Sequence, residues 1–345
     1  MGTRRVFVAY TGGTVGMQRT ERGYAPAPGQ LAALLRELPQ FQAPEMPALT
    51  LHEFDPLLDS ANMTPGDWER IGRVLLEHEA DHDGFLILHG TDTMAYTASA
   101  LSFALEGLQK PVILTGSQIP LCETRSDALE NLVTSLLLIE RYGHRLAEVC
   151  ICFGGRLLRG NRATKIDSEG FDAIDSPNHP WLGTIGIDFE LEWPLLRAPM
   201  EDAPPLRVRP LGEVSIGACR LYPGMRAEAL AAFLGGVQGC VLECYGAGNA
   251  PHRNEAFMET LRAACTAGTV VVAVPQPLRG SADLALYATG RALVDAGVVS
   301  GFDMTPEAAL TKLTYLFACT DDPTEVRRLV QEDLRGELTR PAPTP

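Results

Sequence analysis

The chain has 345 residues, 46% hydrophobic and 21% charged, which suits an ordinary globular protein with one large core or two smaller ones. Its formal net charge of −14 would repel phosphate backbones and anionic lipid, and no run of lysine and arginine interrupts that balance. Nucleic acid and membrane are therefore not expected as partners.

The apolar stretch in Arg5–Tyr10 is too short for a signal peptide and reads as a first strand, while Val6 stands where a myristoylation signal starting at Gly2 needs Ser or Thr. Leu49–Phe54, Gly84–His89, Pro111–Thr115 and Val149–Phe153 read as the second to fifth strands. Between them, Gln30–Leu38, Pro65–Glu79, Thr93–Leu105 and Asp127–Tyr142 carry apolar residues at helical spacing, as at Trp68, Ile71, Val74 and Leu75. Thr64-Pro65-Gly66-Asp67 supplies a cap, a first-turn proline and an N3 acid, and Gly143 suits a helix stop. This strand-helix alternation predicts an α/β fold with a parallel sheet.

The proline-rich stretch from about Leu195 to Gly212 lacks apolar periodicity and reads as a linker. The expected division is residues 1–195, a linker over 196–212, and a smaller α/β domain over 213–345. In that domain Val214–Leu221, Cys240–Tyr245 and Thr269–Val274 read as strands, and Arg226–Leu234, Glu255–Ala267, Pro306–Ala318 and Pro323–Asp333 as helices. The short proline-rich tail Arg340–Pro345 is expected to fray. Eight cysteines at spacings unlike zinc or thioredoxin motifs, with no secretion signal, predict reduced, buried thiols in a cytoplasmic protein.

Ligands of open α/β sheets bind at the carboxyl ends of strands. Three such ends are rich in hydroxyls: Thr11-Gly12-Gly13-Thr14-Val15-Gly16, Gly90-Thr91-Asp92-Thr93 and Gly116-Ser117-Gln118. Each alone could be a tight turn or a cap, Asp92 included; the three together point to a site. The first is not a dinucleotide fingerprint, since the G-x-G-x-x-G spacing is absent and a loop carrying Tyr24 follows in place of a helix, in the manner of a closing lid. A helix start at His89–Asp92 turns backbone N–H groups toward the site, where an amide-cleaving reaction needs them for its oxyanion. His89, on a buried strand, reads as core. Lys165 follows the fifth strand and could reach the same edge. His78-Glu79-Ala80-Asp81-His82 fits the zinc-protease signature H-E-x-x-H, but it falls where the helix should end, so no metal is expected.

Taken together these segments resemble the L-asparaginase family, most closely its bacterial cytoplasmic branch. The resemblance rests on Tyr10–Gly16, Gly23-Tyr24-Ala25-Pro26, Asp59–Pro65, Leu88–Met94, Thr115–Pro120, Asn161–Lys165, Asp175–Asn178, Tyr245–Pro251 and Leu334–Leu338, and it spans nearly the whole chain. It implies a flavodoxin-like N-terminal domain, a smaller C-terminal α/β domain, and assembly as a homodimer or homotetramer. The implied reaction takes L-asparagine to L-aspartate and ammonia without a cofactor. In its terms Thr14 is the nucleophile, with Tyr24 on the lid beside it; Thr91, Asp92 and Lys165 form a hydroxyl, carboxylate and amine arrangement. Asp59, Ser60, Thr91, Asp92 and Ser117 hold the substrate. Either Lys165 or Tyr24 could activate Thr14. Three other readings are an ammonia-supplying subunit of glutamyl-tRNA amidotransferase, a lysophospholipase and a non-catalytic amino-acid-binding module. The first expects an extra amino-terminal domain, the second a lipid-binding surface, and the third needs no second hydroxyl-bearing motif.

Overall fold

The computed structural model describes residues 3–21, 23–285 and 288–340, so Gly2 and the last five residues of the proline-rich tail lie outside the described residues. The chain divides into two compact units, Met1–Arg209 and Pro210–Pro345.

In the first unit the strands Arg5–Gly12, Ala48–Leu58, Gly84–Leu88, Val112–Thr115 and Val149–Phe153 lie parallel in the spatial order second, first, third, fourth, fifth. This is the flavodoxin-like order. The four inner strands are buried on both faces because helices cover the sheet on either side, whereas the edge strand Ala48–Leu58 stays partly exposed. Val6, Val8, Leu86 and Leu88 pack with Leu31 and Leu35 of helix Gln30–Glu37 and with Leu132 and Leu136 of helix Ala128–Tyr142. Phe7, Ala9, Phe85 and Ile87 pack with Ile71 and Leu75 of helix Pro65–Glu77 and with Leu101 of helix Met94–Ala104. The Asp67 carboxylate accepts the Thr64 N–H at 2.8 Å, as the capping sequence requires.

Three features of this unit differ from the sequence reading. Arg156–Arg159, Gly183–Ile185 and Phe189–Leu191 extend the sheet antiparallel beyond the fifth strand; strands of three or four residues are too short to display a period. The segment read as a loop around Tyr24 is a two-stranded hairpin, Met17–Thr20 against Gly23–Pro26, with Arg19 opposite Tyr24. Within the proline-rich stretch, Arg207–Val208 pairs with Leu105–Glu106, and buried Glu106 takes ion pairs from both Arg207 and Arg209.

The second unit holds a parallel sheet of Ile216–Arg220, Gly239–Cys244, Val270–Pro275 and Val299–Ser300, in that order. Leu242 and Cys244 pack against Phe257 and Leu261 of helix Glu255–Thr266, whereas Val241 and Val272 pack against Leu313 and Leu316 of helix Pro306–Cys319. Helix Ala288–Asp295 was not expected from the sequence. The cysteines are unpaired and five are buried, where desolvation pushes the thiols of Cys152 and Cys244 up to about 12. Among the described residues, no helix is long and apolar enough to cross a membrane.

Candidate active site

In the order second, first, third, the strand order reverses beside the first strand, and the crevice at the carboxyl ends there is the expected ligand position. Two glycines let three strand ends interlock at that point. Gly13 has φ 87°, and a Cβ on it would lie 2.5 Å from the Gly90 nitrogen; a Cβ on Gly90 would lie 2.4 Å from Ser60 Oγ. No side chain fits at either position. The Gly13 contact sets Thr14, which opens the turn Thr14–Gly16, beside the segment leading to Thr91. Ser60 is buried under Gly90, and its carbonyl accepts the Thr93 hydroxyl at 2.7 Å, tying the second strand's end to the start of helix Met94–Ala104. Asp59 is exposed, and its carboxylate accepts the Ala61 N–H at 3.1 Å.

Thr93 takes the N-cap position of that helix, which leaves the Asp92 carboxylate free for another partner. That partner is Lys165, carried in on the short strand Thr164–Lys165 paired with Ile174–Asp175. Lys165 Nζ donates to Asp92 Oδ1 at 2.7 Å and to Thr91 Oγ1 at 2.9 Å. The Thr91 hydroxyl in turn donates to Gln118 Oε1 at 3.1 Å. Thr91 is buried, whereas the Asp92 side chain is 64% exposed.

A cleft of about 520 Å³ is lined by Thr14, Met17, Tyr24, Gln118, Glu123 and Arg125, among others. The Tyr24 phenol donates to Glu123 Oε1 at 2.9 Å, and that carboxylate, by holding the phenolic proton, raises the tyrosine's pKa above its ordinary value. Of the residues named from the sequence, Thr14 and Tyr24 share this cleft, while Thr91, Asp92 and Lys165 form the bonded network beside it. Gln118 belongs to both. Ser117 does not line the cleft: it is 1% exposed and its hydroxyl is unpartnered.

Sequence reasoning passed over Gln118, Glu123 and Asp127. The acid before an apolar helix reads as a cap, yet Asp127 aims its carboxylate back at the loop after the fourth strand. It accepts the backbone N–H groups of Gln118 and Ile119, each at 3.0 Å. One turn on, Asn131 donates to the Gly116 carbonyl at 3.0 Å and accepts the Gly154 N–H at 3.2 Å. The signal for this brace is a polar pair at helical spacing on an otherwise apolar face.

His89 is a core residue. Its Nδ1 donates to the Gly90 carbonyl at 2.7 Å, so its Nε2 accepts from the Thr97 hydroxyl at 2.8 Å, and burial pushes the imidazole down to about 4. The H-E-x-x-H segment lies outside the helix, which ends at Glu77. His82 bonds the His78 carbonyl and Thr50 Oγ1, both at 2.9 Å, and the His78 ring stacks on Phe7 at 4.2 Å. Among the described residues, no group of three His, Cys, Asp or Glu side chains is placed to hold a metal ion.

Residues 5–197 match the family model "Asparaginase, N-terminal" and residues 215–330 match "Glutaminase/Asparaginase C-terminal domain". L-asparaginase 1 of Escherichia coli strain K12 is 49% identical over 341 residues, which cover 98% of this chain and 99% of that protein. The 60 kDa lysophospholipase of Mus musculus is 41% identical over 98% of this chain but 63% of its own length. The crystal structure of L-asparaginase I from Vibrio cholerae superposes with a TM-score of 0.90 at 44% identity, covering 98% of this chain and 100% of that one. With both units matched and the strand order and site in place, the chain belongs to the asparaginase family.

Proposed function

We propose that this chain hydrolyses L-asparagine to L-aspartate and ammonia through an acyl-enzyme on Thr14. The observation that carries the reading is the Lys165 amine bridging the Thr91 hydroxyl and the Asp92 carboxylate at the strand end beside Thr14. A zwitterionic substrate needs both of its charges answered. In this reading the carboxylates of Asp59 and Asp92 answer the α-ammonium, and the hydroxyls of Ser60 and Thr91 hold the rest of the molecule, while the enclosed Ser117 hydroxyl takes no part.

Thr14 Oγ attacks the side-chain amide carbon and gives up its proton to the base; the tetrahedral oxyanion collapses, and the C–N bond breaks as ammonia leaves with a proton returned to nitrogen. Water then cleaves the threonyl ester, releasing aspartate and restoring the hydroxyl. Tyr24 serves Thr14 only after leaving Glu123, because its proton is held there. Lys165 acts through Thr91. The groups the reaction uses are side chains and backbone donors, so the reading calls for no cofactor. It extends to a cytoplasmic enzyme, supported by the unpaired thiols, and to a homodimer or homotetramer, supported by the family resemblance.

Rapid acid quench during turnover of asparagine, followed by peptide mass spectrometry, tests this. An aspartyl adduct is expected on the peptide containing Thr11–Gly16. An adduct on Thr91 would exchange the two threonines' roles, and no adduct during measured ammonia release would replace the acyl-enzyme with direct attack by water.

A further inference from the structure

Among the described residues, Gln118 alone both lines the cleft with Thr14 and Tyr24 and bonds the Thr91–Lys165–Asp92 network. Its amide cannot be turned round. Nε2 donates to the carbonyls of Gly170 at 3.1 Å and Ser168 at 3.3 Å, which only accept, so Oε1 must face Thr91. Its backbone is fixed as well, through the Asp127 carboxylate. The direction of every bond in the network then follows. Thr91 gives its hydroxyl proton to Gln118 and offers a lone pair to Lys165. For Lys165 to draw the Thr91 proton it must accept from the hydroxyl to which it now donates, and Gln118 competes for that proton.

We propose that Gln118 is a positioning residue that sets the direction of the Thr91 hydroxyl and, through it, the pH at which the Thr91–Lys165–Asp92 network can take up a proton during catalysis. The inference rests on the function proposed above and deepens it. The charged and titratable groups facing this network are Asp92 on the segment of Thr91, Asp167 on the loop of Lys165, Asp127 behind Gln118, and Glu123, Arg125 and Tyr24 across the cleft. None of them contacts the Thr91 hydroxyl, which has Gln118 as its acceptor and Lys165 as its donor.

The test is the pH dependence of kcat/KM for L-asparagine in the wild type and in two variants, Gln118→Met and Gln118→Glu. Methionine keeps the volume and removes the acceptor. Thr91 is then free to donate to neutral Lys165, and the acid limb should move to lower pH by roughly half a unit to one unit, the effect of one neutral hydrogen bond. Glutamate keeps the acceptor and adds negative charge, so the acid limb should move up by roughly one unit or more. Opposite shifts separate positioning from general damage, which moves both variants alike. If the methionine variant does not fold, Gln118→Leu takes its place, since it too removes the acceptor and is expected to shift the acid limb the same way. Shifts of the same sign, or none in either folded variant, would overturn the proposal. Near-normal ammonia release by Lys165→Met would instead overturn the underlying reading, since the network would then play no part.

Discussion

The Tyr24 phenol donates a 2.9 Å hydrogen bond to Glu123, 99 residues further along the chain. Tyr24 sits on a hairpin, Glu123 on the loop after the fourth strand, and Thr14 lines the cleft with both. The bond places Tyr24 in the cleft while keeping its proton away from Thr14. Tyr24→Phe is expected to lower kcat by about 10²-fold or more, the usual contribution of a positioned proton-transfer group. Glu123→Ala frees the phenol and should leave kcat within a few-fold of wild type while changing KM. Steady-state kinetics decides the matter: a Glu123→Ala loss as large as that of Tyr24→Phe would make the observed contact the working one.

Lys165→Met separates catalysis from stability. The Lys165–Asp92 pair is largely solvated on the aspartate side, and such pairs contribute about 0–1 kcal/mol to folding. Denaturant unfolding should therefore give a free energy within about 1 kcal/mol of wild type, while ammonia release falls to near background, as it should for Thr14→Ala, because such groups act as a unit. A large loss of stability in Lys165→Met would show that the pair holds the loop in place.

The parallel strands and their helices were legible because each buries a face and so displays its period. What could not be read are contacts made across long sequence separations. Thr91 and Lys165 stand 74 residues apart; their positions at strand ends allowed a shared site, and the family resemblance grouped them with Asp92, but neither gives the bonds themselves. Gln118 was quoted in a motif but given no role, because its function lies in which end of its amide faces which partner, and sequence does not encode that directly. Asp127 was read as part of a helix for the same reason: a carboxylate at a helix start has a local use that hides a longer-range one. The hairpin bearing Tyr24 was read as a loop because its strands of four residues are mostly exposed and carry no apolar alternation.

His89 gives a pH dependence of stability. Burial lowers its folded-state value to about 4, against the ordinary 6.5 of an unfolded histidine, and outweighs the opposing hydrogen bond to the Gly90 carbonyl. Between these values the unfolded chain binds the extra proton, so stability rises with pH across that window. The contribution is complete above about pH 6.5 and is lost as pH falls toward 4, amounting to about 3 kcal/mol in total. Comparing His89→Gln with wild type by denaturant unfolding from pH 7 to pH 5 isolates this contribution. The wild type should lose stability faster, and parallel curves would mean that the imidazole gains its proton while still folded.

Lys312 and Glu337 form an ion pair that is 0% exposed on both sides, with Lys312 Nζ 2.5 Å from Glu337 Oε1. The lysine also donates to the carbonyls of Val330 and Glu332, and the glutamate accepts the backbone N–H groups of Leu334 and Arg335. Burial opposes ionisation of Glu337, but the ammonium and these backbone donors outweigh it and hold its carboxyl below the usual carboxylate range. The pair thus ties the closing Leu334–Leu338 segment to helix Pro306–Cys319, which packs on the second sheet. Lys312→Met strands a buried carboxylate and should cost about 3–5 kcal/mol. The double variant Lys312→Met, Glu337→Gln removes both charges and should recover part of that loss, since the remaining amide can still accept from Leu334 or Arg335. Urea titration of the wild type, both single variants and the double variant measures the coupling directly. Additive losses would show that the two residues stabilise the segment independently.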